Sequence, residues 1–409
     1  MKKYILLISI LITALLGGCT GDDRMHIRIW HQMRIEERVV MERQIQRFMQ
    51  RYPDIRVEQL YKDTEQLRND FIIAAYARQG PEIVYGPSDM IGLLATVEVI
   101  LPLEEFFDEE YLGKFHETAK VWYEGHLYQL ADKLGNHLAL VYNKDLVSEP
   151  PETTDELIEI GKAITKSHPG SGRIEQYGLV WNYTEPFFYV PFLAGFGGWV
   201  MDDAQERPTL DTEANVQGLN FIQELRDVHR IIPREADYEI ADALFKEGRA
   251  GMIINGDWSW GGYQAAGLRI GVAPIPRVSE TGLWAAPMVS TKGFSINSNI
   301  DEEKLPVVLE LIRYLNEPEN QLEVTEEVKT FPTRIETYEN PIVTEDPILI
   351  NSKRQIDVGR PMPIVPELRA IWDSMRPHYQ MVLNGSKSAE DAARDMQILA
   401  ERKIIEMLE

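Results

Sequence analysis

Hydrophobic and polar residues alternate along the first part of the chain in a way that predicts strands and helices in turn. Residues 26–30 alternate as in a half-buried strand, and apolar residues at helical spacing follow them up to Pro53. A second strand is predicted at residues 55–60, a helix at 65–78 and a third strand at 83–85. Because strands that alternate with helices are typical of a parallel sheet, this pattern predicts an α/β fold.

The loops at the ends of the predicted strands are the first candidates for a ligand site. In a parallel sheet, ligands bind at the loops beyond the carboxyl ends of the strands. Trp30, Gly86 and Asp89 stand at or just after the ends of the first and third strands. We therefore expect these three residues to lie near a ligand.

The rest of the chain continues the mixture of strands and helices. Residues 125–146 are extended around Lys133–Asn136, where the chain could cross between two lobes. Thr153 to Glu156 is a capping box that starts a helix. Further predicted elements are a loop at 167–175, a helix at 237–246, a strand at 250–254, a turn at 255–257, a strand at 293–297, a helix at 306–315, a connector at 361–366 and a tail helix that starts near residue 388.

Residues 181–199 hold eight aromatic residues, a far higher density than the 9% of the whole chain. Proline and glycine interrupt this stretch at Pro186, Pro191 and 195–198, where we expect turns or close approach of the backbone. Aromatic rings hold the apolar faces of a sugar, and carboxylates such as Glu185 bind its hydroxyl groups. We expect about two-thirds of these rings to fill a core and the others to reach a ligand.

The N-terminus has the pattern of an export signal. Lys2 and Lys3 precede the apolar run 4–16, which is too short for an ordinary membrane span, and small residues lead to Cys19. Cys19 is the only cysteine, so one chain cannot form a disulfide. An uncleaved N-terminal anchor is the alternative. The segment resembles a bacterial lipoprotein signal, which implies a signal peptide at 1–18, acylation of Cys19 and a lipidated tether at 19–25.

The chain is long enough for two lobes with separate cores, and it is strongly acidic. Its 65 Asp and Glu against 42 Lys and Arg give a formal net charge of −23. So acidic a surface argues against nucleic acid as a partner, and solubility alone accounts for most of the charge.

Sequence motifs for catalysis, metals and cofactors are missing. The eight histidines form no His-x-x-x-His pair and have no cysteine partner, so we expect no metal and no cofactor. Dinucleotide, phosphate-loop and nucleophile-elbow motifs do not occur either. Glu185 and Asp257 could form a glycosidase pair, and a sugar-active enzyme therefore stays open as an alternative. Asp257 could equally be a helix N-cap.

Five motifs resemble those of one known family. They are Pro81-Glu-Ile-Val-Tyr85 with Asp89, Leu140-Val-Tyr-Asn-Lys-Asp-Leu146 with Pro150-Pro151, Glu185-Pro-Phe-Phe188 with Pro191, Ile253-Ile-Asn-Gly-Asp-Trp-Ser-Trp260, and Ala370-Ile-Trp372. Together they resemble the extracellular solute-binding proteins of ABC sugar importers, closest to the maltodextrin-binding type. The resemblance implies a two-lobe periplasmic-binding-protein fold of the α/β class, in which each lobe is a sheet flanked by helices and the ligand cleft lies between the lobes. It places the N-terminal lobe at 26–134 plus 287–345 and the C-terminal lobe at 135–286 plus 346–409.

The same resemblance implies a set of ligand-binding residues. Asp89 and Glu185 match two sugar-binding acids of the family, and Trp258 and Trp372 match two stacking tryptophans. Asn136 stands where the family has a binding glutamate, and Phe187 stands where it has a stacking tyrosine. Trp30, Asp257 and Trp199 are additional candidates. Gly86 and Met90 depart from the maltodextrin pattern, which puts maltose itself in doubt.

The implied function is the capture of an oligosaccharide or related sugar and its delivery to an ABC permease, without turnover. The resemblance places a monomer outside the cytoplasm, held by its lipid on a bacterial membrane in the periplasm or at the cell surface. A binding protein for a charged small solute such as a polyamine is a further alternative, because carboxylates are abundant in the chain.

Overall fold

The computed structural model describes residue 22 and residues 24–408, which form two lobes around two β-sheets. The strands are β1 (Met25–His31), β2 (Ile55–Tyr61), β3 (Ile83–Pro87), β4 (Lys120–Tyr123), β5 (His126–Gly135), β6 (Leu138–Asn143), β7 (Lys166–Ser167), β8 (Ile174–Trp181), β9 (Ala250–Gly256), β10 (Ile270–Ala273), β11 (Met288–Ile296), β12 (Phe331–Pro332) and β13 (Arg360–Pro361). The predicted signal peptide and Cys19 lie outside the described residues.

Helices flank both sheets. They are α1 (Ile35–Arg51), α2 (Thr64–Tyr76), α3 (Ile91–Thr96), α4 (Glu109–Leu112), α5 (Thr154–Ile164), α6 (Pro186–Gly195), α7 (Glu213–Gln223), α8 (Tyr238–Lys246), α9 (Trp260–Ala265), α10 (Leu305–Leu315), α11 (Pro318–Val328), α12 (Pro341–Thr344), α13 (Pro347–Val358), α14 (Glu367–Leu383) and α15 (Ala389–Leu408). Of the helices in the described part of the chain, none is both long enough and apolar enough to span a membrane.

The first sheet has the strand order β12-β5-β11-β3-β1-β2, with β4 added beside β5 and β13 beside β11. The strands β1, β2 and β3 are mutually parallel, as the alternation of strands and helices predicts. The strand β11 is antiparallel to both β3 and β5, so the sheet as a whole is mixed.

Successive residues of β3 pack into different cores, which places α1 and α2 on opposite faces of the first sheet. Ile83 and Tyr85 join the core that contains Phe48 of α1. Val84, between them, joins the core that contains Phe71 of α2. Because side chains alternate across a strand, the two cores lie on the two sides of the sheet.

The second sheet has the order β10-β6-β9-β8-β7. The chain passes from the first sheet to the second between β5 and β6, where Gly135 and Asn136 both have positive φ values of 111° and 34°. A Cβ at Gly135 would crowd the side chains of Asp257 and His137, so a glycine suits both the backbone conformation and the space. Helix α13 packs against β10, and α15 packs against α14 and α7, so the C-terminal helices mostly join the second lobe.

The predicted cap at Thr153 is confirmed, whereas the alternative role of Asp257 as an N-cap is not observed. The Thr153 hydroxyl accepts a hydrogen bond from the backbone N–H of Glu156 at 3.3 Å, as the capping box predicts. Asp237 caps α8 through the N–H of Ile240 at 2.8 Å. Asp257 does not cap a helix, because α9 begins at Trp260 with Ser259 at the N-cap position.

The aromatic stretch 181–199 folds differently from the prediction. Pro186 does not make a turn but starts α6, where a missing N–H costs nothing. Pro191 lies inside this helix, although proline there forfeits a backbone hydrogen bond. Seven of the eight aromatic residues are buried, and only Phe187 is partly exposed. Because α6 is packed on nearly all sides, its sequence has no polar face and no helical period that could have revealed it.

Candidate functional site

A cavity of about 420 Å³ lies between the two lobes. The first lobe supplies residues from the loops that follow β1, β2 and β3, which is the edge where a parallel sheet binds ligands. These are Gln32, Arg34, Asp63, Thr64, Glu65, Pro87 and Asp89. Lys292 of β11 and Asn136, in the crossing between β5 and β6, also line the cavity. The second lobe and the segment that leads into α14 supply Asn182, Thr184–Phe188, Asp237–Glu239, Trp258, Met362, Trp372 and Arg376.

Six of the candidate ligand-binding residues come together on the walls of this one cavity. They are Asp89, Asn136, Glu185, Phe187, Trp258 and Trp372. Asp89 and Trp372, the first and the last of them in the sequence, are separated by more than half of the chain, so the fold brings the six residues together from distant segments.

Aromatic rings form the wall that the second lobe contributes. The ring centroids of Trp258 and Phe187 are 6.4 Å apart. The indole N–H of Trp258 donates to the hydroxyl of Tyr238 at 3.1 Å, which fixes the orientation of the ring. Trp372 is only 6% exposed and lines the same cavity. Rings held in this way offer flat apolar faces to a ligand.

Asp89 brings a carboxylate to the cavity with one oxygen unpaired. Burial raises the pKa of this carboxyl, and the charge of Arg68 and the neighbouring Trp372 oppose the rise. Its Oδ1 is buried and has no hydrogen-bond partner among the described residues. Because a buried oxygen without a donor is unfavourable, Asp89 is suited to accept a hydrogen bond from a ligand hydroxyl.

Glu185 and Asn136 are each held by a neighbouring side chain. Arg376 donates to the Glu185 carboxylate from Nε at 3.1 Å and lies 3.0 Å from it through Nη2. Asn136 donates from Nδ2 to the hydroxyl of Ser290 at 2.8 Å. The positions of both side chains are therefore set before a ligand arrives.

A cluster of buried charges lies beneath the cavity. Glu37 of α1 accepts hydrogen bonds from Lys133 at 2.9 Å and from Lys292 at 3.5 Å. The Lys292 ammonium also lies 4.7 Å from the centroid of the Trp258 ring, so it links the cluster to the aromatic wall. No short-range pattern in the sequence marks Lys292, since β11 reaches this point only through pairing with distant strands.

The pKa values of Glu37 and of two buried groups near the cluster, Asp257 and His137, are shifted in different directions, depending on the partners of each group. Burial alone would raise the pKa of Glu37, but the charges of Lys133 and Lys292 outweigh it and lower the pKa to about 2. Burial raises the pKa of Asp257 to about 7, and the charge of Lys292 only partly offsets this. Burial lowers the pKa of His137 to about 3, so its ring is neutral although Nδ1 lies 3.6 Å from Asp257.

The three additional candidates do not line the cavity. Trp30 packs on the face of β1 opposite to Ile29 and His31, with the Lys62 ammonium 4.4 Å from its ring centroid. Trp199 is buried in the core of the second lobe beneath Arg360. Asp257 is buried at the crossing between the sheets.

Of the two carboxylates that the sequence offered as a glycosidase pair, Glu185 lines the cavity, whereas Asp257 is buried outside its lining. Among the residues that the structure describes, no group of three or more His, Cys, Asp or Glu side chains could hold a metal ion.

Several cavity residues were missed by sequence reasoning. Gln32, Arg34 and Asp63 could have been found, since they follow the ends of β1 and β2. No local signal marks Lys292 or Arg376, which reach the cavity from a strand and a helix far along the chain.

Two lobes with a polar and aromatic cavity between them define a class of proteins that bind a solute in an interlobe cleft. The model of the family described as bacterial extracellular solute-binding protein matches residues 43–351, and the chain belongs to this family.

Two relatives of this chain are named as oligosaccharide-binding proteins. The chain is 28% identical to the maltotriose-binding protein of Pyrococcus abyssi over 367 residues, which cover 88% of this chain and 78% of that one. It is 24% identical to the galactooligosaccharide-binding protein of Bacillus subtilis over 351 residues, covering 83% and 80%.

The structure is similar to the maltose/maltodextrin-binding domain MalE from Bdellovibrio bacteriovorus bound to maltotriose. The TM-score is 0.91 and the sequence identity 44%, over 93% of this chain and 100% of that one. The maltotriose-binding protein of Thermus thermophilus, at 23% identity and a TM-score of 0.84 over 92% and 100%, has the same fold. The predicted two-lobe α/β fold is thus confirmed.

Proposed function

We propose that this protein binds an oligosaccharide or related sugar outside the cytoplasm, as a monomer, and delivers it to an ABC permease. One observation carries the proposal: Trp258, Trp372 and the unpaired oxygen of Asp89 line a single interlobe cavity. Ring faces and a carboxylate acceptor are the groups that bind the apolar faces and the hydroxyls of a sugar. Relatives that bind maltotriose and galactooligosaccharides support the same ligand class.

We assign the ligand contacts to Asp89, Asn136, Glu185, Phe187, Trp258 and Trp372. The lobes themselves are proposed to comprise 26–134 plus 287–345 and 135–286 plus 346–409. Membership of β1 to β5 in the first sheet and of β6 to β10 in the second supports this division, whereas the pairing of β13 with β11 is a local exception.

Closure of the lobes on a sugar follows from this arrangement. Asp89 belongs to the first lobe, and Glu185 and Trp258 belong to the second, so a sugar can touch all three only when the lobes are together. A ligand favours the closed form by the contacts that closure adds.

A thermal-shift screen of sugars and polyamines tests the ligand class. We expect short oligosaccharides, maltotriose among them, to raise the melting temperature in a concentration-dependent way, because a ligand that binds only the folded state stabilises it. Polyamines should have no such effect, because three of the six carboxylates on the cavity walls, Glu65, Glu185 and Glu239, are already paired with arginines. A shift with spermidine and none with any sugar would contradict the proposal.

The same oligosaccharides should remain intact during long incubation with the protein, because we propose binding without turnover. The assay is the appearance of new reducing ends or unsaturated products. Product formation above a no-protein control would favour the enzyme alternative.

We also propose that Cys19 is acylated and anchors the protein to a bacterial membrane. The pattern of residues 2–19 supports this, and two curated streptococcal relatives are described as lipoproteins. The intact mass of protein purified from native membranes should correspond to a chain that begins at a diacylated or triacylated Cys19. The substitution Cys19→Ser should release the protein from the membrane fraction. An unmodified chain that begins at another residue would contradict the anchor.

A further inference from the structure

We propose that ion pairs between the lobes close both ends of the cavity, so that the site takes a short oligosaccharide as a whole and discriminates against longer chains. This inference rests on the proposed function and adds the length class of the sugar to it. Helices α1 and α2 cover opposite faces of the first sheet. The N-terminal ends of these helices therefore border the cleft on its two opposite sides.

The first closure joins the start of α1 to both ends of α8. Nη1 of Arg34 lies 3.0 Å from the Glu239 carboxylate, and the guanidinium lies 3.6 Å from the centroid of the Tyr238 ring. Glu36 adds a contact of 3.3 Å to Lys246. All of these contacts join one lobe to the other.

The second closure joins the start of α2 to α14. The carboxylate of Glu65 is paired with Arg369 and lies 3.4 Å from Nη2 of Arg376. Arg376 in turn binds Glu185 at 3.0 Å. Glu65 thus connects the first lobe to two arginines of the second lobe.

Six of the residues in these contacts also line the cavity, whereas Glu36, Lys246 and Arg369 lie outside its lining. Arg34, Tyr238 and Glu239 line it at one side, and Glu65, Glu185 and Arg376 line it at the other. A sugar that fills the cavity must therefore end against these side chains, whose carboxylates and guanidinium groups can bind its terminal hydroxyls. A longer chain can bind only if an interlobe ion pair opens or the lobes stay apart.

A length series tests the proposal. Linear α-1,4-linked glucose oligomers of increasing length, from the dimer to the heptamer, are titrated into the wild type and into Arg34→Gln and Arg369→Gln, with binding measured by calorimetry. The matched control is Arg394→Gln, which removes the same charge from an ion pair with Asp391 within α15, away from the cavity.

In the wild type, affinity should rise with length and then fall by roughly twofold to fivefold once the chain exceeds the cavity, in keeping with the modest strength of partly exposed ion pairs. In Arg34→Gln or Arg369→Gln, the longer oligomers should regain most of this loss relative to the shorter ones. Arg394→Gln should retain the wild-type length profile.

The outcomes separate the two proposals. If oligomers of all lengths from the trimer upward bind the wild type equally well, or if neither Arg34→Gln nor Arg369→Gln changes the profile, the closure of the ends is refuted and sugar binding stands. If no oligomer binds at any length, the proposed ligand class fails for α-glucans and the length inference falls with it. Melting temperatures of the four proteins show whether each variant is folded.

Discussion

Replacing Glu37 by glutamine should lower the free energy of unfolding by about 3–5 kcal/mol, the cost of breaking a buried ion pair from one side. The Glu37 side chain is fully buried, and those of Lys133 and Lys292 are only 5% and 6% exposed. Removing the carboxylate leaves two buried ammonium groups without their shared counter-charge. Urea unfolding followed by circular dichroism measures the effect.

The control for Glu37 is Glu42→Gln, an exposed acid on the same helix α1. This substitution should change the stability by no more than about 0.5 kcal/mol. Equal stabilities of Glu37→Gln and Glu42→Gln would show that the buried cluster does not hold α1 to the sheet.

The contribution of Glu37 should also depend on pH in a defined direction. Its pKa is about 2 in the folded protein, below its ordinary value of 4.5. A carboxyl whose folded pKa is depressed stabilises the fold above the unfolded value and loses this stabilisation as the pH falls toward the folded value. The stability difference between wild type and Glu37→Gln should therefore be constant near neutral pH and shrink from about pH 4.5 toward pH 2.

Replacing Trp258 by alanine should weaken sugar binding by roughly 1–3 kcal/mol, or about fivefold to more than a hundredfold, because a large apolar face is lost from the cavity wall. The ring lies against Phe187, donates a hydrogen bond to the Tyr238 hydroxyl and has the Lys292 ammonium near its face. Titration calorimetry with the best ligand of the thermal-shift screen measures the change. Trp372→Ala should have a comparable effect.

Truncation of either ring should also lower the stability of the fold, because Trp258 and Trp372 are only 8% and 6% exposed. A purely structural tryptophan would lose stability on truncation and leave the affinity of the folded fraction unchanged. Urea unfolding of both variants without ligand separates the two effects. The matched control is Trp199→Ala, which removes an equally buried ring outside the cavity and should reduce stability while leaving affinity at the wild-type value.

Local signals in the sequence were sufficient for much of the fold. The parallel strands β1 to β3 and the cap at Thr153 follow from alternation, helical spacing and capping residues, which act over only a few positions. Helix α6 was missed for a complementary reason. Its environment is apolar on nearly every side, so burial rather than periodicity determines its structure.

The resemblance to the sugar-importer family also pointed to six residues that line one cavity, whereas the positions of strand ends had pointed only to Asp89 among them. Trp30, which was also placed at a strand end, lies outside the cavity lining, because the pleat of β1 turns its side chain to the other face of the sheet.

Only the tertiary structure decided which charges meet. Glu37 is paired with Lys133 and Lys292, which lie 96 and 255 residues further along the chain. Glu65 reaches Arg369 across 304 residues, and Arg376 reaches Glu185 across 191. An acidic chain offers many possible partners for each cation, and no short-range pattern selects among them. The selection is made by the packing of two sheets and their helices, which fixes the distances between segments and determines which carboxylates lie buried, which line the cavity and which join the lobes.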